Sequence, residues 1–234
     1  MLFVCAVVVP RAGTVLVWWG GLPGGSSFPD PIVDVANALR WTFKHIQEYG
    51  GDPDKVFLVG HSAGGHAVAS LACSPQFLAD VGVDKARLAG VAPVSAARID
   101  RMFGNEGSLL SRVLCCCCPA FRSGTSDAVK LDVRPAVDLS KASSEDAERV
   151  PPLLLIHGTH EYSSVLRSHR SFATLARKAG VRSVQLVSLP GEAHLSETLR
   201  VGLTDDTLSS VVLRWVEERG AAIDARRYTQ EAAL

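Results

Sequence analysis

One stretch, from Lys55 to Cys73, limits the fold of this chain more than any other. It reads KVFLVGHSAGGHAVASLAC: a short apolar run, a glycine-rich break, and small residues compatible with a helix. A Gly-x-Ser-x-Gly sequence between a buried strand and a helix is typical of a nucleophile elbow, a sharp turn in which Gly60 and Gly64 avoid collisions of Cβ atoms. The pattern predicts Ser62 at the top of a strand. The alternative is an ordinary glycine-rich turn in which Ser62 only caps the helix.

The composition is that of a globular protein that remains in water. Of the 234 residues, 47% are hydrophobic and 21% are charged, and 24 basic side chains balance 24 acidic ones. A net charge of zero gives no basis for nucleic-acid binding, and no apolar run is long enough for a transmembrane helix. The apolar start of the chain has no basic region before it, so we interpret it as a strand rather than a signal peptide.

The six cysteines favour a reducing compartment and hence a cytoplasmic protein. Four of them are consecutive, Cys115–Cys118, and neighbouring cysteines do not form an ordinary disulfide framework. Cys5 and Cys73 lie in apolar runs and are expected to be buried as small hydrophobic residues. For the run of four, an unmodified surface loop is favoured over S-palmitoylation or metal binding.

Strands alternate with helices along the chain, which predicts a three-layer αβα sandwich with a mostly parallel sheet. We expect a single domain over residues 1–220, with a polar, irregular, lid-like insertion at about 97–150 and a frayed polar tail at 221–234. In such sheets the active groups lie at the carboxyl ends of the strands. Ser62, Glu161 and His194 each follow such an end.

A serine hydroxyl needs a neighbouring base in order to act as a nucleophile, and His194 is the best candidate among seven histidines. It follows the last predicted strand and precedes the final helix. The other six are less suitable by position. His61 and His66 flank the serine and are expected to point elsewhere, and His45 and His169 lie in predicted helices and are expected at the surface. His157 ends a strand, and His160 immediately precedes the acid.

The sequence His157-Gly158-Thr159-His160-Glu161 follows a predicted strand, and here the chain resembles the α/β-hydrolase superfamily. In that family, His-Gly-Thr-x-Asp-x-x-Val is the usual context of the acid in the catalytic triad. This chain has Glu161 where aspartate is usual, and its valine falls one position late. Asp205 and Asp206 are the fallback acids, although they are better explained as the start of the last helix.

A narrower resemblance rests on three further stretches. Residues 49–72, YGGDPDKVFLVGHSAGGHAVASLA, look like the kynurenine formamidase and isoprenylcysteine methylesterase-like group of carboxylesterases, and FPDPIVDVANALRW upstream and PGEAHL downstream agree in order. The resemblance implies hydrolysis of a small carboxylic ester or aryl formamide, with Ser62 as nucleophile, His194 as base and Glu161 as the orienting acid. It implies no metal and no organic cofactor. It leaves the oligomeric state open.

The oxyanion hole is where the chain departs from this group. Ala63 begins the helix after the turn, and its backbone N–H is the expected first donor. The family draws its second donor from a His-Gly-Gly-Gly-like loop well over a hundred residues before the serine, whereas only 61 residues precede Ser62 here and none of them form His-Gly-Gly. The stretch from Val15 to Gly21 could be a contracted version of that loop. We favour the alternative, that it is the later strand which in the family leads into the Phe-Pro-Asp motif, so that the oxyanion strand is absent and the fold is shortened at its N-terminus. The rival hypothesis is therefore a degenerate hydrolase fold with a non-catalytic binding role.

Overall fold

A six-stranded sheet lies at the centre of the protein. The computed structural model describes residues 3–9, 13–19, 30–96, 99 and 135–232. The strands are β1 (Phe3–Val9), β2 (Gly13–Trp19), β3 (Phe57–His61), β4 (Gly90–Val94), β5 (Leu153–Gly158) and β6 (Val184–Leu189). Their order across the sheet is β2-β1-β3-β4-β5-β6.

The sheet is parallel from β3 to β6, as predicted from the alternation of strands and helices. β1 is the exception, because it runs antiparallel to both of its neighbours, β2 and β3. The physical reason is the short connection between β1 and β2, since a parallel crossover needs a dozen or more residues and a hairpin needs only a few. β2 and β3, joined by a helix, run in the same direction with β1 between them.

Eight α-helices flank the sheet within the described ranges. They are α1 (Asp30–His45), α2 (Ala63–Cys73), α3 (Pro75–Asp80), α4 (Pro135–Lys141), α5 (Ser144–Glu148), α6 (Ser163–Ala179), α7 (Ser196–Leu199) and α8 (Thr207–Glu231), with short 3-10 turns at Ile46–Tyr49 and Lys85–Arg87.

Alternate residues of the buried strands supply two hydrophobic clusters, one on each face of the sheet. Leu58 and Leu155 pack with α1, α2 and α6 on one face. Phe57 and Ile156 pack on the other face against α8, where Trp215 contacts Phe57 edge to face with ring centroids 5.6 Å apart. Because side chains of a strand alternate between faces, each of β3 to β6 contributes to both faces. The predicted three-layer sandwich is thereby confirmed.

The segment expected to be an irregular lid contains regular structure in its second half. α4 and α5 lie there, and Leu139 and Ala147 are buried in the core. The irregular sequence hid these helices because each is short and carries few apolar residues. Most of the first half, including Cys115–Cys118, lies outside the described residues. Cys73 is a buried free thiol, as predicted.

The expected frayed tail is helical, which corrects the prediction that order ends near Gly220. α8 continues as far as Glu231. Ion pairs hold its second half against the loop before β3: Arg227 donates hydrogen bonds to both carboxylate oxygens of Asp52, at 2.7 and 3.0 Å, and Lys55 pairs with Asp224. These partners are distant in sequence. No helix in the described part of the chain is both long and apolar enough to cross a membrane.

Candidate active site

Ser62 occupies a strained turn between β3 and α2. Its backbone has φ 56° and ψ −117°, in the positive-φ region that side chains other than glycine rarely adopt. A Cβ atom at Gly60 would overlap the carbonyl of Gly64, so the turn requires glycine there. The Ser62 N–H donates a 2.9 Å hydrogen bond to the Val94 carbonyl, which ties the turn to β4. The predicted strand–serine–helix turn is present in the structure.

The structure brings together the three side chains that the sequence analysis selected. The Ser62 hydroxyl lies 2.9 Å from Nε2 of His194, and Nδ1 of His194 lies 2.8 Å from Oε2 of Glu161. Ser62 and Glu161 are buried, and His194 is partly exposed. With the proton of neutral His194 on Nδ1, that N–H donates to Glu161 and Nε2 is free to accept from Ser62.

Backbone hydrogen bonds join the loop after β5 to the loop after β6, and these bonds bring Glu161 to His194. The loop after β5 donates its Thr159 and His160 N–H groups to the carbonyls of Leu189 and Glu192, at 3.0 and 2.8 Å. Gly158 allows this approach, because a Cβ atom there would overlap the Glu192 carbonyl. The acid and the histidine therefore meet although 33 residues separate them.

Glu161 is held in its ionised form. Burial alone would raise the pKa of its carboxyl, but hydrogen bonds from His194, the Tyr162 N–H and Ser95 outweigh burial and lower the pKa below the ordinary value. The Tyr162 N–H donates to Oε1 at 2.7 Å, which leaves Oε2 for His194. An anionic carboxylate behind an imidazole orients the ring and stabilises its protonated form.

His61 also belongs to the site, contrary to the expectation that it points elsewhere. Its Nε2–H donates a 2.6 Å hydrogen bond to the backbone carbonyl of His194, and the two rings pack with centroids 4.9 Å apart. Burial, reinforced by His194, lowers the pKa of His61 to about 4, so the ring is neutral at pH 7. This contact joins residues 133 positions apart, so the position of His61 beside Ser62 did not predict it.

Three other histidines bond to groups other than the Ser62 hydroxyl. His169 is fully buried, which corrects its predicted surface position: its Nε2 accepts the Ala96 N–H at 2.9 Å, and burial lowers its pKa to about 3. His157 bonds to Ser188, and His160 reaches the Gly191 carbonyl. His169 points inward because its helix packs on the sheet, a contact that periodicity alone did not reveal.

The two fallback acids have other partners. Asp206 caps α8 by accepting the Ser209 N–H at 2.8 Å, as its position before the helix suggested. Asp205 pairs with Arg200 at 2.9 Å. Glu161 is thus the carboxylate that contacts His194 within the described residues.

The expected first oxyanion donor lies at the start of α2. Ala63 is the first residue of that helix and is buried, so its N–H is one of those that no helical carbonyl accepts. Gly20 and Gly21, considered for the second donor, lie outside the described residues. β2, which precedes them, ends at Trp19 opposite Phe3, and Cys5 pairs with Gly60, so β2 ends at the same edge of the sheet as β3.

Comparison with known proteins identifies the class to which this fold and site belong. A family model described as alpha/beta hydrolase fold matches residues 22–197, which is most of the chain. The chain belongs to the α/β-hydrolase fold family, and the family predicted from the sequence motifs is confirmed.

Among individual relatives, the chain is 27% identical over 229 residues to "Probable isoprenylcysteine alpha-carbonyl methylesterase ICMEL1" of Arabidopsis thaliana, covering 89% of this chain and 46% of the relative. It is 30% identical over 183 residues to "Probable carboxylic ester hydrolase LipM" of Mycobacterium tuberculosis, and the match covers 74% of this chain and 40% of that relative. The chain therefore spans less than half the length of these relatives. Esterase B from Lactobacillus rhamnosis shares the fold, with a TM-score of 0.69, 19% identity, and coverage of 92% of this chain and 69% of that one.

Proposed function

We propose that this chain is a serine hydrolase that cleaves carboxylic esters through an acyl-enzyme. The observation that carries the proposal is the continuous hydrogen-bonded series from the Ser62 hydroxyl through His194 to Glu161, with separations of 2.9 and 2.8 Å. A nucleophile, a base and an orienting acid within hydrogen-bond reach are the requirement for activating a hydroxyl group. The ester-hydrolase names of the relatives support the same reaction class.

In the proposed reaction, Ser62 Oγ bonds to the ester carbonyl carbon while its proton passes to Nε2 of His194. Glu161 stays ionised and stabilises the imidazolium that forms. The Ala63 N–H donates to the carbonyl oxygen as that oxygen becomes negative. Collapse of the tetrahedral intermediate breaks the ester C–O bond, and His194 returns the proton to the leaving alcohol. Water, deprotonated by His194, then attacks the acyl-enzyme and releases the carboxylic acid and Ser62.

The substrate that we favour carries an apolar group next to the ester. Tyr162 packs with its ring centroid 5.7 Å from that of His194 and is 51% exposed, and the adjoining Leu195 is 56% exposed. Both side chains offer exposed apolar surface near His194, Tyr162 by ring contact and Leu195 as the next residue in the chain. A prenylcysteine methyl ester and an aryl formamide are the two specific substrates implied by the resemblance. We place the ester first because the relatives described above have ester-hydrolase names.

A fluorophosphonate probe tests the proposal directly. We expect covalent labelling of the wild type and of Ser163→Ala, which removes an exposed hydroxyl at the start of α6, and no labelling of Ser62→Ala. Turnover of p-nitrophenyl acetate, a formyl anilide and a prenylcysteine methyl ester then ranks the substrate classes. Folded wild-type protein that neither reacts with the probe nor hydrolyses any of the three would refute the proposal.

The second candidate is a hydrolase fold that binds a ligand without catalysis. It rests on Glu161, which stands where the resemblance to the hydrolase family implies aspartate. The same labelling experiment separates the two candidates, because this one predicts a folded protein without a reactive serine.

A further inference from the structure

A second carboxyl group is buried behind the Glu161–His194 pair. Glu197, on α7, is 1% exposed, and its Oε1 accepts a 2.8 Å hydrogen bond from the Ser95 hydroxyl. Its Oε2 has no hydrogen-bond partner among the described residues. A carboxylate buried with one unsatisfied oxygen is costly, so a structural role alone explains it poorly.

Ser95 interacts with both Glu197 and Glu161. It follows β4 directly, is fully buried, and has φ 41°, a second strained backbone position in addition to Ser62. The strain is held by its own N–H, which donates to the Ile156 carbonyl at 2.8 Å, and by the next N–H, which donates to His169. Its hydroxyl donates to Glu197, and its interaction with Glu161 helps to lower the pKa of Glu161.

The groups that face Glu197 leave its charge uncompensated. Burial, reinforced by the negative charge of Glu161, raises the pKa of Glu197 to about 7, although Ser95, the Gly158 N–H and His194 each act to lower it. His61 Nε2 lies 3.8 Å from Oε2 of Glu197. His61 is neutral at this pH and its N–H is already donated to the His194 carbonyl, so the contact is not an ion pair.

The nearest arginine on the same segment has other partners. Arg200 lies 3.4 Å from Glu192 and 2.9 Å from Asp205, and Glu192 also accepts a hydrogen bond from Ser196. Glu192 is therefore a second buried glutamate of this loop that has its own partners and makes no hydrogen bond with the Ser62–His194–Glu161 series among the bonds described.

We propose that Ser95 and Glu197 are positioning residues for the reaction at Ser62: the Ser95 hydroxyl bridges Glu161 and Glu197, and the charge on Glu197 sets how strongly the acid end of the site stabilises protonated His194. The inference rests on the proposed function. While Glu197 is neutral, it donates to Ser95, and the Ser95 hydrogen is available to Glu161. When Glu197 ionises, the Ser95 hydrogen turns to Glu197, and a second negative charge lies behind Glu161.

The second negative charge favours the imidazolium that forms when Ser62 attacks, so ionisation of Glu197 raises the rate. At partly buried separations of several ångströms, one added charge changes a rate by about tenfold. Glu197→Gln keeps the size and hydrogen-bonding pattern of the neutral acid but cannot ionise. The variant is therefore expected to match the wild type at acidic pH and to fall behind it at alkaline pH.

The kinetic test is the pH dependence of ester hydrolysis, from about pH 5.5 to about 9. For Glu197→Gln we expect kcat within twofold of wild type near the acidic limit and about tenfold below it near the alkaline limit, with KM unchanged. Glu192→Gln is the matched control and keeps the wild-type profile shape. Ser95→Ala removes a hydrogen bond that favours ionised Glu197, so the rise in kcat that accompanies ionisation of Glu197 moves to higher pH. Superimposable profiles for wild type and folded Glu197→Gln overturn the proposal.

A second measurement does not depend on turnover. Carbon NMR of the glutamate carboxyl groups, assigned with Glu161→Gln and Glu197→Gln, follows both acids directly. We expect the chemical shift of the Glu161 carboxyl carbon to change as Glu197 titrates. In Ser95→Ala this change should shrink by more than half. The Ser95→Ala variant also tests the proposal if Glu197→Gln does not fold. A Glu161 resonance that ignores Glu197 in the wild type overturns the inference. Coupled resonances in a protein that reacts with neither probe nor ester refute only the proposed function.

Discussion

The Nε2–H of His61 donates a 2.6 Å hydrogen bond to the backbone carbonyl of His194. The residue directly before the candidate nucleophile thereby holds the backbone of the candidate base. The two lie 133 positions apart in the chain. The distance between the Ser62 hydroxyl and the His194 ring thus depends on a contact outside the series of three side chains.

We expect His61→Ala to lower kcat by about ten- to a hundredfold, because freeing the His194 loop misplaces the imidazole by a fraction of an ångström or more. The change leaves a buried carbonyl without its donor, which lowers the free energy of unfolding by about 1–3 kcal/mol. Steady-state kinetics and urea unfolding measure the two effects. His45→Ala, at a part-exposed histidine, is the control. Unchanged kcat in folded His61→Ala would show that the carbonyl contact has no positioning role.

Replacing Glu161 by Gln is expected to lower kcat by about 10³- to 10⁴-fold, because an uncharged amide neither fixes the tautomer of His194 nor stabilises its protonated form. Glu161→Asp keeps the charge but shortens the reach, and we expect an intermediate loss. Asp205→Asn and Asp206→Asn, at the fallback acids, should keep more than half of the activity. A large loss in either of these with little loss in Glu161→Gln would assign the acid differently.

The stability of the protein should depend on pH through Glu197. Its pKa in the folded state is about 7, above the value of 4.5 expected when exposed, so the folded state binds more protons in this range and stability falls as the pH rises through it. The difference corresponds to about 3 kcal/mol between complete protonation and complete ionisation. The free energy of unfolding of the wild type, measured in urea, should therefore fall by up to this amount relative to that of Glu197→Gln as the pH rises from about 4 to about 8. A constant difference between the two proteins contradicts the prediction.

Glycine is required at position 60 for steric reasons. A Cβ atom there would overlap the Gly64 carbonyl, which is rigid backbone, so Gly60→Ala should lose several kcal/mol of stability or fail to fold. Gly220→Ala is the matched control: the site is helical, and the nearest atom to an added Cβ is part of Lys55 at 3.8 Å. There we expect a gain of about 0.5–1 kcal/mol. Thermal unfolding of the two variants measures the contrast, and a Gly60→Ala protein as stable as wild type would contradict it.

Local patterns predicted the order of strands and helices, the strained turn at Ser62 and the family. They also selected Glu161 and His194, because each follows a strand and the carboxyl ends of parallel strands meet at one edge. Their catalytic roles stay predictions, although the geometry has the form that the sequence suggested. These features depend on residues close together in the chain, where apolar periodicity and glycine content restrict the backbone directly.

Tertiary packing alone decided the rest. It paired β1 with β3, buried His169, extended α8 beyond Gly220, turned His61 towards His194 and placed the Ser95 hydroxyl against Glu197. Each of these depends on partners that lie far away in the sequence. Hydrogen-bond partners and burial depend on which elements pack around a side chain. The same histidine or glutamate, at the same sequence spacing, can therefore be solvated in one fold and buried in another.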